Sequence, residues 1–336
     1  MAGQQVTKDK VGIALVGLGK YSAEQLAPAL QETEHCYLAG IVTGTPEKAK
    51  EWKKKYDIPP ENVYSYENFE SIANNADIDI IYIVLPNSMH AEYVIRGAKT
   101  GKHIICEKPM AITVEDCDRM IGACRDAGVM LSIGYRLHFE PYNREMMRLG
   151  RDKVFGNIQS LKADNGMDTV EGWRLDMQLA GGGPLMDVGI YCVQGVRYTT
   201  GMEPIAVRAQ EGPKNDKEKF KSVEESLTWQ MEMPGGAIAE CFTSYSEEKN
   251  LLRAEAENGW FELSPAYNYE GLKGKTSDGK MKFPQINQQA AQMDDFAKAV
   301  KENRPTPVPG EMGKQDVKIL LAIYEAMRTG QRVEIS

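Results

Sequence analysis

Val11-Gly-Ile-Ala-Leu-Val16, running directly into Gly17-Leu-Gly-Lys-Tyr-Ser22, is the stretch on which the reading of the fold turns. Six apolar or small residues bounded by glycine predict a strand buried on both faces, the kind found in parallel sheets. Ala23 to Glu32 then carries a helical pattern. Strand, glycine turn and helix in that order let the backbone turn tightly and approach a pyrophosphate, whose charge meets free N–H groups at the helix N-terminus. Gly17-x-Gly19-x-x-Ser22 stands in that context. Ser22 takes the third position, where Gly or Ala is usual, and is itself small. A plain turn is the other reading.

Outward from this stretch the alternation continues. Strands are expected at Tyr37 to Thr43, Ile78 to Leu85, His103 to Cys106 and Val129 to Gly134. Helices are expected at Pro46 to Tyr56, Asn68 to Asn74, Met89 to Thr100 and Val114 to Ala127. Strand–helix units of this length predict a doubly wound parallel sheet, an α/β domain of Rossmann type. Beyond Gly134 the pattern changes. Longer strand candidates with alternation appear at Ile158 to Ala163, Ile205 to Gln210, Ser226 to Met233, Ala237 to Tyr245, Leu251 to Glu257 and Trp260 to Leu263. They predict an open, predominantly antiparallel sheet with one face covered, with helices near Asp187 to Thr199, Gln288 to Glu302 and Lys314 to Arg328. A chain of 336 residues at about 150 per domain suggests two domains. The expected division is 1–133 for nucleotide binding and 134–336 for an α+β domain that binds substrate and mediates oligomerisation.

Composition narrows the function. The net charge of −8 leaves no basic face for phosphate contacts, so nucleic acid is not an expected partner. Lys53-Lys54-Lys55 reads as the solvated side of a helix. No apolar stretch approaches the ~20 residues that span a bilayer. Met1 to Lys10 is polar and lacks the apolar middle of a signal peptide, so the expected location is cytoplasmic, or periplasmic if an export signal precedes this chain. The six cysteines form no CxxC pair, and the four histidines no HxH or HxxxH. No disulfide framework and no metal site are expected.

Three places carry chemistry. At the end of the second strand an Asp or Glu would hold the ribose 2′-OH of NAD. Thr43-Gly44-Thr45 stands there instead, with Lys48 one turn into the following helix. A hydroxyl pair with a nearby cation suits a 2′-phosphate, which points to NADP; a solvated Lys48 with NAD held by other contacts is the alternative. Glu107-Lys108-Pro109 lies at the carboxyl end of a strand, where doubly wound sheets bind their ligands, although any loop after a strand could read the same way. Gly181-Gly-Gly-Pro-Leu-Met-Asp187-Val-Gly-Ile-Tyr191 puts Asp187 and Tyr191 four apart, on one face of a helix. A phenol becomes a workable base when an ammonium stands beside it. Lys108 and Tyr191 would form such a pair, with Asp187 orienting a substrate hydroxyl. The plainer alternative makes Tyr191 a packing aromatic and Asp187 a helix cap.

The turn Gly17-x-Gly19-x-x-Ser22, then Glu107-Lys108-Pro109, Gly134-Tyr135-Arg136 and Gly181-Gly-Gly-Pro-Leu-Met-Asp187-Val-Gly-Ile-Tyr191 occur in an order that resembles the Gfo/Idh/MocA oxidoreductases. The resemblance covers almost the whole chain, from Gly17-Leu-Gly-Lys-Tyr21 to Gln315-Asp316-Val317 and Ile323-Tyr-Glu-Ala326. Many members carry His where this chain has Tyr191, so the tyrosine points to the glucose–fructose oxidoreductase branch. The resemblance implies that Lys108 is the catalytic lysine, Asp187 the substrate-positioning aspartate and Tyr191 the acid/base tyrosine. It implies cofactor contacts from Gly17, Gly19, Lys20 and Tyr21, and from Thr43, Gly44 and Lys48 around the 2′-phosphate. Pro86, Asn87 and His90 fall in the loop over the nicotinamide ribose, with Glu107 beside it. Arg136, Trp173 and Arg174 match residues lining the cofactor and sugar cleft.

Similar enzymes keep NADP bound while one sugar is oxidised at C1 to a lactone and a second is reduced, a ping-pong hydride transfer. Ten residues precede Val11, too few to wrap far at roughly 3.3–3.6 Å per residue. That differs from the long arm covering the cofactor in the glucose–fructose enzyme. The acceptor, ketose or aldose, therefore stays open, as does how firmly NADP is held. An ordinary NADP-dependent aldose dehydrogenase and a non-enzymatic NADP/sugar sensor are the competing readings. An open sheet usually buries its bare face against another copy, so a homo-oligomer, dimer or tetramer, is expected.

Overall fold

In the computed structural model, which describes residues 8–335, Val11–Val16 forms strand β1 and all six of its residues are buried. The reading of the polar N-terminal segment lies outside the described residues as far as residue 7. Five further strands join β1: β2 (Cys36–Val42), β3 (Val63–Tyr64), β4 (Ile80–Ile83), β5 (His103–Cys106) and β6 (Leu131–Ile133). Every pairing is parallel, in the order β3-β2-β1-β4-β5-β6. This is the doubly wound order with its switch point between β1 and β4. The helices Pro46–Lys55, His90–Lys99 and Val114–Ala127 fall within a residue of expectation at each end. Two do not. Phe69–Asn74 is a 3₁₀ helix, where the Ser71 hydroxyl donates to the Asn68 carbonyl at 2.6 Å and competes with α-helical bonding. The helix after the glycine turn contains a π turn at Ser22–Leu26, closed by Ala27 N–H on the Ser22 carbonyl. Pro28, with no N–H of its own, follows directly.

The chain divides into two compact units, and their limits differ from a single cut after 133. The first runs to Arg136 and resumes over Asn287–Lys314; the second comprises Leu137–Ile286 and the residues from Gln315 onward. The physical cause is the helix Gln288–Glu302. Its apolar residues Met293, Phe296, Ala297 and Val300 share a core with Leu15, Leu26, Ile41 and Tyr82. The Asn287 side chain caps it by accepting the Ala290 N–H at 3.1 Å.

The second unit is built on nine strands. They are β7 (Ile158–Gly166), β8 (Ala206–Glu211), β9 (Ser226–Glu232), β10 (Ile238–Ser244), β11 (Lys249–Ala256), β12 (Gly259–Leu263), β13 (Gly274–Thr276), β14 (Gly279–Lys280) and β15 (Val333–Glu334). Their order is β14-β13-β12-β11-β7-β10-β9-β8-β15. All neighbours are antiparallel except β7 and β10. In β9 the inward residues Leu227, Trp229 and Met231 are buried while Thr228 and Gln230 are exposed, the alternation of a sheet covered on one face. Helices Pro141–Arg151 and Ile190–Thr200 pack on each other, and Ile190–Thr200 lies against β7, β10 and β11. The six cysteines are free and buried. Among the described residues no group of His, Cys, Asp or Glu is set to hold a metal ion, and no helix is long and apolar enough to cross a membrane.

Candidate active site

The glycine turn shows two different needs for glycine. Gly17 has φ +92°, and a Cβ there would lie 2.4 Å from the Val84 carbonyl oxygen, so the fold itself demands it. At Gly19 a Cβ would meet no atom of the described residues within 4 Å, its two chain neighbours aside. Packing places no demand on it, whereas close approach of a pyrophosphate does. Ser22 is fully buried, and its hydroxyl donates to the Gly17 carbonyl at 2.6 Å. Lys20 is exposed and Tyr21 half-buried at the start of the helix.

Thr43, Gly44 and Lys48 gather beside this turn. The Thr43 N–H donates to the Tyr64 carbonyl at 3.0 Å, and its hydroxyl oxygen accepts the Thr45 N–H at 3.2 Å. Lys48 folds back from its helix to donate to the Leu18 carbonyl at 3.2 Å. Lys48 is exposed, and its ammonium reaches the backbone of the glycine turn, one helical turn beyond Thr43 in the chain.

The ends of β4 and β5 hold the next group. Asn87 is buried, following Pro86. His90 is fully buried, with Nδ1 2.9 Å from the Pro109 carbonyl and Nε2 2.8 Å from the Leu85 carbonyl. Burial holds its imidazole below the usual range, against the pull of those two carbonyls and that of Met110. His90 therefore joins the loop after β4 to the loop after β5. Glu107 is buried as well. Its Oε1 accepts the Tyr82 O–H at 2.6 Å and its Oε2 the Lys108 N–H at 3.2 Å. The Tyr82 oxygen in turn accepts from Gln292 Nε2 at 2.9 Å. Burial pushes the Glu107 carboxyl up, against Tyr82 and the charges of Lys108 and Arg136. Lys108 follows, half-buried. Arg136 is buried and donates to Gln288 Oε1. Tyr82 and Gln292 had no sequence signal: one reads as a strand residue, the other as the inner side of a helix.

In the second unit Asp187 and Tyr191 do share one helical segment, with a correction. Leu185–Gly189 is a π turn that continues into the α-helix Ile190–Thr200, so the strict α-helical register expected between Asp187 and Tyr191 does not hold. Pro184 brings no N–H, and the Gly183 carbonyl accepts from both Met186 at 3.2 Å and Asp187 at 3.3 Å. Asp187 Oδ2 accepts from Arg174 Nε at 2.9 Å and from the Tyr245 O–H at 3.2 Å. The Asp187 charge raises the Arg174 pKa, and the guanidinium lies 4.8 Å from the ring centroid of Trp173. Burial, and then Asp187, push the Tyr245 phenol well up. Tyr191 is 8% exposed, its ring centroid 6.2 Å from that of Tyr267. Tyr245 is a site residue that alternation alone marks only as the inward end of a strand.

A parallel sheet of this order with an open glycine turn, joined to a unit that fixes an aspartate beside a tyrosine, defines a nucleotide-dependent oxidoreductase. Residues 11–135 match the model of an oxidoreductase family with an NAD-binding Rossmann fold, and residues 143–261 match the GFO/IDH/MocA C-terminal domain. The chain belongs to the Gfo/Idh/MocA oxidoreductase family. It is 29% identical to the D-xylose 1-dehydrogenase [NADP(+)] of Haloarcula marismortui, over 99% of this chain and 95% of the relative. The 1,5-anhydro-D-fructose reductase of Ensifer adhaerens is 25% identical over 81% of this chain and 84% of its own. The crystal structure of aldose-aldose oxidoreductase from Caulobacter crescentus, complexed with glycerol, superposes with a TM-score of 0.94. It is 41% identical and covers 97% of this chain and 99% of its own.

Proposed function

We propose that this enzyme is an NADP-dependent sugar oxidoreductase that oxidises an aldose at C1 to an aldonolactone and reduces a second sugar, aldose or ketose, to an alditol. One observation carries the reading: Asp187, gripped through Oδ2 by Arg174 and Tyr245, lies in the same helical segment as Tyr191. The likeness to an aldose-aldose oxidoreductase over nearly the full length supports it. The open approach at Gly19 and the cation of Lys48 at the Leu18 carbonyl fit NADP, which Gly17, Gly19, Thr43, Gly44 and Lys48 would hold. When bound, NADP supplies the acceptor and donor of hydride.

The chain's own residues handle the proton and the orientation. Asp187 orients a sugar hydroxyl, and Tyr191 takes the proton of the C1 hydroxyl. In the second half-reaction Tyr191 returns a proton to the carbonyl oxygen of the open-chain acceptor. Microscopic reversibility lets one pair of groups serve both directions. The purified protein, given one aldose and no added nucleotide, is expected to yield lactone and alditol together. Tyr191→Phe is expected to lower turnover by at least about a hundredfold while NADP affinity stays within about twofold. Full turnover in that variant would remove the tyrosine from the mechanism.

A second reading is an ordinary NADP-dependent aldose dehydrogenase that releases its cofactor each cycle. The named activity of the Haloarcula relative favours it, and lactone formed only when free NADP⁺ is supplied would decide for it. In both readings the chain forms a homo-oligomer through the face of the nine-stranded sheet opposite Ile190–Thr200. Phe242 and Trp260 lie on that face beneath Lys249 and Arg253, at 3.8 and 4.1 Å.

A further inference from the structure

The run Gly181-Gly-Gly has a cause that lies far away in sequence. A Cβ on Gly182 would fall 2.0 Å from the Tyr324 hydroxyl, and one on Gly183 2.6 Å from the Glu224 carbonyl oxygen and 3.0 Å from its carboxyl group. Both partners are therefore pressed against the backbone that leads into the π turn. Glu224 is 3% exposed, in the segment just before β9. Its Oε2 accepts the Gly183 N–H at 2.9 Å. Its Oε1 accepts the Leu185 N–H at 3.2 Å and the Tyr324 O–H at 2.7 Å.

The π turn has no side-chain cap of its own. A carboxylate on the free N–H groups at the start of a helix meets both the hydrogen-bond and the dipole requirement there. The neighbouring residue acts on the same turn from another side: the Glu225 carbonyl accepts the Tyr245 N–H at 2.9 Å, and Tyr245 holds Asp187. Two consecutive residues thus fix the backbone carrying Asp187 and the phenol gripping its carboxylate.

We infer that Glu224 is a positioning residue: it clamps the Gly183–Leu185 backbone, with Tyr324 behind it, and so sets where Asp187 and, through the continuing helix, Tyr191 stand. The inference rests on the reading of Asp187 and Tyr191 as site residues. Glu224→Gln tests it with little change of shape. Whichever way the amide turns, an NH₂ group faces the N–H of Gly183 or of Leu185, and one clamp bond is lost.

The expected result is a kcat for aldose oxidation lower by roughly ten- to a hundredfold, with NADP affinity unchanged within about twofold. In an Asp187→Asn background the same change is expected to cost less than about twofold, because residues acting as a unit are not additive. Tyr324→Phe, which removes one donor and keeps the ring, is expected to lower kcat in the same direction by less, so the test survives if Glu224→Gln fails to fold. Amide hydrogen exchange over 183–189 is expected to accelerate in both variants.

Unchanged kcat in Glu224→Gln, an equal loss in both backgrounds, or unchanged exchange over 183–189 would each overturn the inference. Failure of the underlying reading looks different: Asp187→Asn would keep full activity, or the unaltered protein would turn over no aldose. The exchange measurement then still decides whether Glu224 clamps the turn.

Discussion

Lys48 is the side chain proposed to set cofactor preference. In sequence it could be any solvated helix lysine; in the structure it is exposed and its ammonium donates to the Leu18 carbonyl of the glycine turn at 3.2 Å. A cation there contributes to a bound 2′-phosphate and nothing to a bare 2′-hydroxyl. Lys48→Ala is therefore expected to weaken NADPH by roughly ten- to a hundredfold, the worth of one charged hydrogen bond, and to leave NADH within about threefold. Nucleotide fluorescence titration measures both, and equal weakening of the two would mean that Lys48 supports the turn rather than the phosphate. Asp187, Tyr191 and Lys108 drew notice as site candidates because Asp187 and Tyr191 follow a run of glycines and a proline, and Lys108 stands before a proline at the end of a strand. Tyr82, Tyr245, Gln292 and Glu224 did not. They act through partners 25 to 210 positions away, and no local pattern encodes such a pairing.

Periodicity names a face of an element and is silent on what covers it. Helix Gln288–Glu302 is read to the residue, since Asn287 caps it and its apolar period is regular. Its place in the first unit, however, follows only from its packing on β1 and β2. Phe296, 1% exposed in that core, gives the measurement: Phe296→Ala is expected to cost about 3–5 kcal/mol in denaturant unfolding, and a loss below about 1 kcal/mol would mean that the ring is not packed there. Pro141–Arg151 escaped the sequence reading, although Pro141 at its first position and Glu140, whose side chain accepts the Asn143 N–H at 2.8 Å, mark its start. The parallel pairing of β7 with β10 was also beyond reach, because strands so far apart in the chain meet through topology and not through a turn. The π turns had no signal other than glycine and proline at their edges.

Across the whole molecule, Glu107, Glu224 and His90 are buried ionisable groups that shape stability against pH. Burial pushes the carboxyls of Glu107 and Glu224 up and the imidazole of His90 down. For the two acids the folded state holds its proton more readily than the unfolded state. Their contribution is complete below the unfolded value near 4.3 and is lost as pH rises through the folded one. For His90 the sign is opposite: its contribution is present above about 6.5 and is lost as pH falls. Glu107→Gln removes one acid from this sum. Its melting temperature relative to the unaltered protein is expected to rise by about 2–4 °C between pH 4.5 and pH 7.5. A constant difference in thermal melts over that range would show that Glu107 titrates alike in both states.

The return of the chain at Asn287–Lys314 to the unit it left at Arg136 bears on how such enzymes can be recombined. A fragment ending at 136 would present Leu15, Leu26 and Ile41 to water where Phe296 and Val300 belong, an adhesive surface rather than a minimal cofactor carrier. Grafting the nucleotide half of one relative onto the sugar half of another takes three seams, at 136, 286 and 314, and the short internal piece must travel with its parent sheet.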